Sequence, residues 1–172
     1  MTLWIAALIA VGISTPLAII AAATRRPALA LPLPVVLLGV IALRVIGVAE
    51  PSGLWFTPLL TLGLVAMATA GGGPLVSFIF TVIVRNEKKR GRKAEHHEVL
   101  RGGAAIGYLE RFGVAGAILV GQPAIIAVVV AVKGLGRFTE LDTAAARERF
   151  IVGTLASLLW AAACATAITG SW

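Results

Sequence analysis

One cysteine, two histidines, one tyrosine and eight acidic residues are all that this 172-residue chain holds in those classes, and each scarcity closes off a kind of chemistry. A lone Cys164 forms neither an intrachain disulfide nor a cysteine metal cluster. His96 and His97 are adjacent, so on a helix they point about 100° apart and lack the three- or four-residue spacing that places two ligands on one face. The sequence contains no HExxH, no GxSxG, no aspartate-rich run and no pair of carboxylates inside an apolar segment. It therefore points to no metal, no cofactor and no familiar catalytic apparatus. Charge is scarce as well. Charged residues make up 13% of the chain and hydrophobic ones 59%, with mean hydropathy +0.96, whereas a soluble domain carries about 25% charged residues.

The charge that is present is mostly basic, giving a net +7. Nucleic-acid binding would use such a balance, but no aromatic residues interleave with the basic run, and lysine and arginine also gather in the cytoplasmic loops of membrane proteins. The expectation is an all-α, polytopic membrane protein with no nucleic-acid partner, four to five membrane-inserted segments and one of them broken at Gly121-Gln122-Pro123. As a single membrane domain over 1–172, it divides into apolar segments at about 3–23, 29–48, 54–70, 112–132 and 150–168. The run 85–101, with Arg85, Lys88, Lys89, Arg90, Arg92, Lys93 and Arg101, is the expected cytoplasmic loop and a contact for anionic lipid headgroups. With no basic residue ahead of it, the first segment reads as a retained anchor rather than a cleaved signal.

Small residues mark packing faces. Ala6, Ala10, Ser14, Ala18 and Ala22 recur every fourth residue in the first segment. Gly113, Ala117 and Gly121 do so in the fourth, and Gly153, Ser157, Ala161, Ala165 and Thr169 in the last, so the last two segments are expected to pack backbone to backbone with Trp160 opposite that stripe. Such faces also suit a second copy or another membrane protein. Pro32 and Pro34 predict a kinked or extended entry to the second segment, and Arg44 near its outer end either snorkels to the interface or meets Glu50. Trp55 and Phe56 stand where an interfacial aromatic belt would. Gly71-Gly72-Gly73-Pro74 is expected to break the third segment, leaving Leu75 to Val84 as a separate short piece. Asp142-Thr143 offers helix N-caps for a polar turn that runs into the last segment.

The stretch from Phe112 to Val132 carries the most information. It lacks any ionisable residue yet holds a glycine, an amide and a proline at its midpoint, and it ends in Glu110-Arg111 on one side and Lys133, Arg137 and Glu140 on the other. As a kinked spanning helix it would separate Glu110 and Lys133 by about 35 Å. As a re-entrant hairpin it would bring them to one face and return Lys133, Arg137, Arg147 and Arg149 to the cytoplasmic side, as the positive-inside bias asks. Kinked spans are much the commoner arrangement, so the span is the expectation and the hairpin the alternative.

The pattern Ile106-Gly107-Tyr108-Leu109-Glu110-Arg111, then Gly121-Gln122, then Lys133 with Arg137-Phe138 and Glu140, then Gly153-Thr154-Leu155-Ala156-Ser157 resembles a group of uncharacterised bacterial multi-pass membrane proteins. The likeness covers about residues 102–160, departs at Gly134 where the group has serine, and leaves the first half unmatched. It implies a bacterial inner-membrane location and a shared polar set, and no reaction.

Three functional classes follow. The first expectation is a non-enzymatic assembly or accessory protein. The second is a small transporter or channel component in which Glu110, Arg111, Gln122, Lys133, Arg137 and Glu140 form one polar constellation around the broken segment. The third, a lipid-modifying enzyme, has the least support.

Overall fold

The computed structural model describes residues 1–51, 53–89, 103–136 and 143–170, and these form six α-helices with one 3-10 turn and no strand. The helices are α1 (Thr2–Ala23), α2 (Pro32–Val45), α3 (Phe56–Lys89), α4 (Gly103–Leu119), α5 (Ala124–Gly136) and α6 (Ala144–Thr169). Four stretches, Thr2–Ala23, Pro27–Val45, Phe56–Arg85 and Ala144–Thr169, are long and apolar enough to cross a bilayer, which makes this a multi-pass α-helical membrane protein.

Helix α3 is the axis of the bundle, packed against α1, α4 and α6. Helix α1 runs alongside it in the same direction, with Trp4 edge-on to Phe56 at 6.1 Å and Val11 against Gly63, where a Cβ would come within 2.7 Å of the valine Cγ1. The buried face of α1 is therefore Trp4, Val11, Ser14, Ala18 and Ala21, rotated from the alanine stripe read in the sequence. Ala6 and Ala22 are exposed, because the small residue that lets α1 and α3 approach is Gly63 of α3, and larger side chains of α1 fill the space. Phe56 belongs to this core rather than to an aromatic belt, while Trp55 is exposed.

The prolines of the second segment act as expected. Pro27–Ala30 forms the 3-10 turn and Pro32 opens α2 at a position where a missing N–H is harmless. Arg44 meets Glu50 at 2.8 Å and lies over the Trp4 ring at 5.8 Å, and Trp4 Nε1 donates to the Val48 carbonyl at 2.9 Å. Gly170, after α6, reaches the same end, where a Cβ would stand 3.1 Å from Arg44 Nη1.

Two further expectations are corrected. Helix α3 continues unbroken through Gly71-Gly72-Gly73-Pro74. Each glycine costs a helix about 1 kcal/mol in propensity, but Gly71 and Gly72 are where neighbours come closest to this helix, and Gly73 has ordinary contact at 3.8 Å. A Cβ on Gly71 would lie 2.6 Å from Leu33 Cδ2 and one on Gly72 2.4 Å from Arg111 Cδ. The missing side chains of Gly71 and Gly72 are filled space, not a break.

The second correction concerns 112–132, which is a helical hairpin and not a kinked span. Helix α4 stops in a Schellman-type cap: Gly121 takes φ +69°, its N–H donates to Ile118 O at 3.0 Å, and the Gln122 N–H donates to Ala117 O at 2.8 Å. Pro123 cannot continue α4, and α5 starts directly after it and packs back along α4. Helix α6 begins as read from the sequence, with Thr143 Oγ1 accepting from the Ala146 N–H at 3.1 Å, whereas Asp142 lies outside the described residues.

Candidate functional site

Arg111 enters the bundle from α4 and is only 5% exposed. A buried guanidinium must have its charge and donors matched. Its Nε donates to the Thr69 carbonyl of α3 at 2.6 Å, its Nη1 donates to Ser157 Oγ of α6 at 3.0 Å, and its plane lies 5.2 Å from the Tyr108 ring centre. One side chain thus ties three helices together. Glycines make the slot. Besides Gly72, a Cβ on Gly107 would stand 3.1 Å from Arg111 Nη1. The same glycine run on α3 leaves backbone carbonyls open to second donors, for Trp160 Nε1 donates to Met67 O at 3.1 Å. Trp160 is thereby buried against α3, a correction to its expected place opposite the packing stripe.

Glu110, next to Arg111, is also buried at 7% exposure. Its Oε2 is paired with Lys133 Nζ, so the two arms of the hairpin are joined by an ion pair. Its Oε1 is buried and, among the described residues, has no hydrogen-bond partner. A cavity of about 230 Å³ lies between α3, α4, α5 and α6. Glu110, Arg111 and Lys133 line it, together with Arg149, Thr154 and Ser157 of α6, while Gly73, Gly103, Gly107 and Gly153 leave it open.

Of the polar constellation read from the sequence, Glu110, Arg111 and Lys133 come together here. Gln122 does not: it sits exposed in the turn at the hairpin tip, twelve positions beyond Glu110 and so about 18 Å further along the helix axis. Arg137 and Glu140 lie outside the described residues, as do His96 and His97. Arg149, Thr154 and the polar role of Ser157 were missed, although Arg149, Gly153 and Ser157 at four-residue intervals share one helix face.

The packing residues divide. Helices α4 and α6 do pack, with Ala117, Ala161 and Ser157 all buried. Gly113 instead faces α5, where a Cβ would stand 3.7 Å from Val129 Cγ2, and Gly153 faces Phe80 and Val76 of α3, with Phe80 Cε2 at 3.2 Å from a built Cβ. Gly121 meets nothing within 4 Å, so it serves the turn and not a helix crossing.

The slot makes a prediction. In Gly72→Ala the gain of about 1 kcal/mol in helix propensity is outweighed by overpacking against the arginine stem, normally a cost of about 1–3 kcal/mol. The variant should melt below the parent in detergent, whereas Gly12→Ala, with nothing within 4 Å of its built Cβ, should not. Equal melting of the two variants would remove the slot as a packing constraint.

Comparison with known proteins finds no matching family model, no similar curated protein and no similar solved structure.

Proposed function

We propose that this chain is a non-enzymatic accessory protein of the bacterial plasma membrane, with the 85–101 run on the cytoplasmic side, and that it binds a small anionic group at the inner boundary of the bilayer. The observation that carries this reading is the gathering of Glu110, Arg111, Lys133 and Arg149 around one cavity inside an otherwise apolar bundle. Buried charges are costly within a membrane protein and are usually found where function needs them. The hairpin also supports the orientation. It returns Lys133, Arg147 and Arg149 to the end that holds Arg25, Arg26 and Arg85, leaving Arg44, paired with Glu50, at the other end of the described residues. The resemblance to bacterial multi-pass proteins favours the location.

Binding is favoured over translocation because the half of the bundle beyond the cavity is filled by Trp4, Phe56, Leu60, Leu64 and Met67, each at most 1% exposed. One observation favours the transport alternative: the exposed amide of Gln122, placed in the turn deep along the hairpin. The test is reconstitution in liposomes carrying an internal pH-sensitive or anion-sensitive dye. The binding reading expects no flux above protein-free liposomes, and Gln122→Leu to leave the melting temperature unchanged. A flux abolished by Gln122→Leu would overturn it in favour of transport.

A further inference from the structure

We infer that the cavity between α3, α4, α5 and α6 is a site for a phosphate group that brings a hydrogen-bond donor of its own, either hydrogen phosphate or the phosphate of a hydroxyl-bearing lipid headgroup; this rests on the binding reading above. Charge comes first. Arg111, Lys133 and Arg149 line the cavity with Glu110; Lys133 is matched by Glu110, but Arg111 is hydrogen-bonded to neutral groups, so among the described residues it brings an excess of positive charge between apolar walls that include Val76, Ile106 and Phe150. An anion is the species that such a lining stabilises.

Geometry narrows the class. The cations stand on separate helices, α4, α5 and α6, and face one space from different directions. A planar carboxylate is satisfied by one guanidinium fork, whereas a tetrahedral oxyanion accepts from several sides. Arg111 is held in place through Nε and Nη1, which leaves Nη2 without a partner among the described residues. Ser157 Oγ accepts from Arg111, so its own proton is available to another acceptor, and Thr154 lines the same wall. The volume of about 230 Å³ is roughly eight times the ~30 Å³ share of one water, enough for a phosphate and a few further heavy atoms.

Glu110 supplies the selectivity. Its Oε2 is taken by Lys133 and its Oε1 lacks a donor, an arrangement that a fully ionised sulfate worsens and a ligand with an O–H relieves. Hydrogen phosphate has such a proton, and so does a glycerol headgroup beside its phosphodiester. The position fits either source, because Arg149 and Phe150 stand where the apolar part of α6 begins, at the level of headgroups.

The experiment is thermal unfolding of the full chain in a neutral maltoside detergent, followed by tryptophan fluorescence, with inorganic phosphate, sulfate at equal ionic strength, or dihexanoyl phosphatidylglycerol. The expected result is a rise in melting temperature with phosphate or with the short-chain lipid and none with sulfate. A rise with phosphate assigns the free anion as sufficient, and a rise with the lipid alone assigns the headgroup. Arg149→Gln should weaken the responding ligand by about tenfold or more. Thr154→Val, which removes one hydroxyl and no charge, should weaken it less and serves if the first variant does not fold. An equal rise with sulfate would overturn the donor-bearing class while leaving anion binding intact. No rise with any of the three overturns both the phosphate site and the binding reading.

Discussion

Arg111→Ala is expected to lose about 3–5 kcal/mol of stability, the range for truncating a large buried side chain, which for a chain of this size is a fall in melting temperature of roughly 10 °C. The loss has two parts. The Thr69 carbonyl and Ser157 hydroxyl lose the donor that bridges α3 to α6 through α4, and the space beside Gly72 empties. Arg111→Lys keeps the charge but not the planar fork, so it should restore only part of the loss. The second part has a sharper signature. A methyl group at position 72 clashes with the arginine stem at 2.4 Å, and once that stem is gone its nearest neighbour is Trp160 Cδ1 at 3.3 Å, which has to give by only a few tenths of an ångström. Gly72→Ala should therefore destabilise the parent yet be neutral or stabilising in the Arg111→Ala background. Additive losses in the double variant would show that the glycine and the arginine do not share a slot.

The second large effect comes from the ion pair that closes the hairpin. Lys133→Met leaves Glu110 as a buried carboxylate with neither oxygen hydrogen-bonded among the described residues, and stranding one partner of a buried pair costs about 3–5 kcal/mol. Neutralising the stranded partner should recover most of this, so Lys133→Met with Glu110→Gln is expected to melt well above Lys133→Met alone. If the double variant is no more stable than the single one, the two residues are not paired. That result would also argue against the hairpin, because a spanning helix holds these positions about 35 Å apart.

What could be read from the sequence depended on whether the signal was local. The membrane class, the proline-opened second helix and the Thr143 cap follow from composition and short-range chemistry, and they appear in the structure where they were read. The hairpin is legible too, since a glycine followed two residues later by proline is a helix stop, but the same residues also suit a kinked span, the commoner arrangement. Gly71-Gly72-Gly73 misled for a different reason. A single sequence shows which side chains are missing and not which neighbour fills the space, here Leu33, Trp160 and Arg111 from three other elements. The same limit hid the Thr69 and Met67 carbonyls as acceptors. The small-residue stripes placed α4 near α6 but assigned Gly113 and Gly153 to the wrong partners, because a stripe gives a face and not the helix that meets it.

The hairpin is the claim on which the site depends, and single-cysteine labelling tests it most directly. Ala104→Cys and Gly136→Cys stand near the start of α4 and at the end of α5, both exposed, and each is made in a Cys164→Ala background to remove the buried native thiol. A membrane-impermeant maleimide is applied to right-side-out and to inverted vesicles. The structure, oriented by its basic residues, predicts that both positions label in inverted vesicles only. Labelling of the two from opposite sides would mean that 112–132 spans the bilayer, which would separate Glu110 from Lys133 and dissolve the cavity they line.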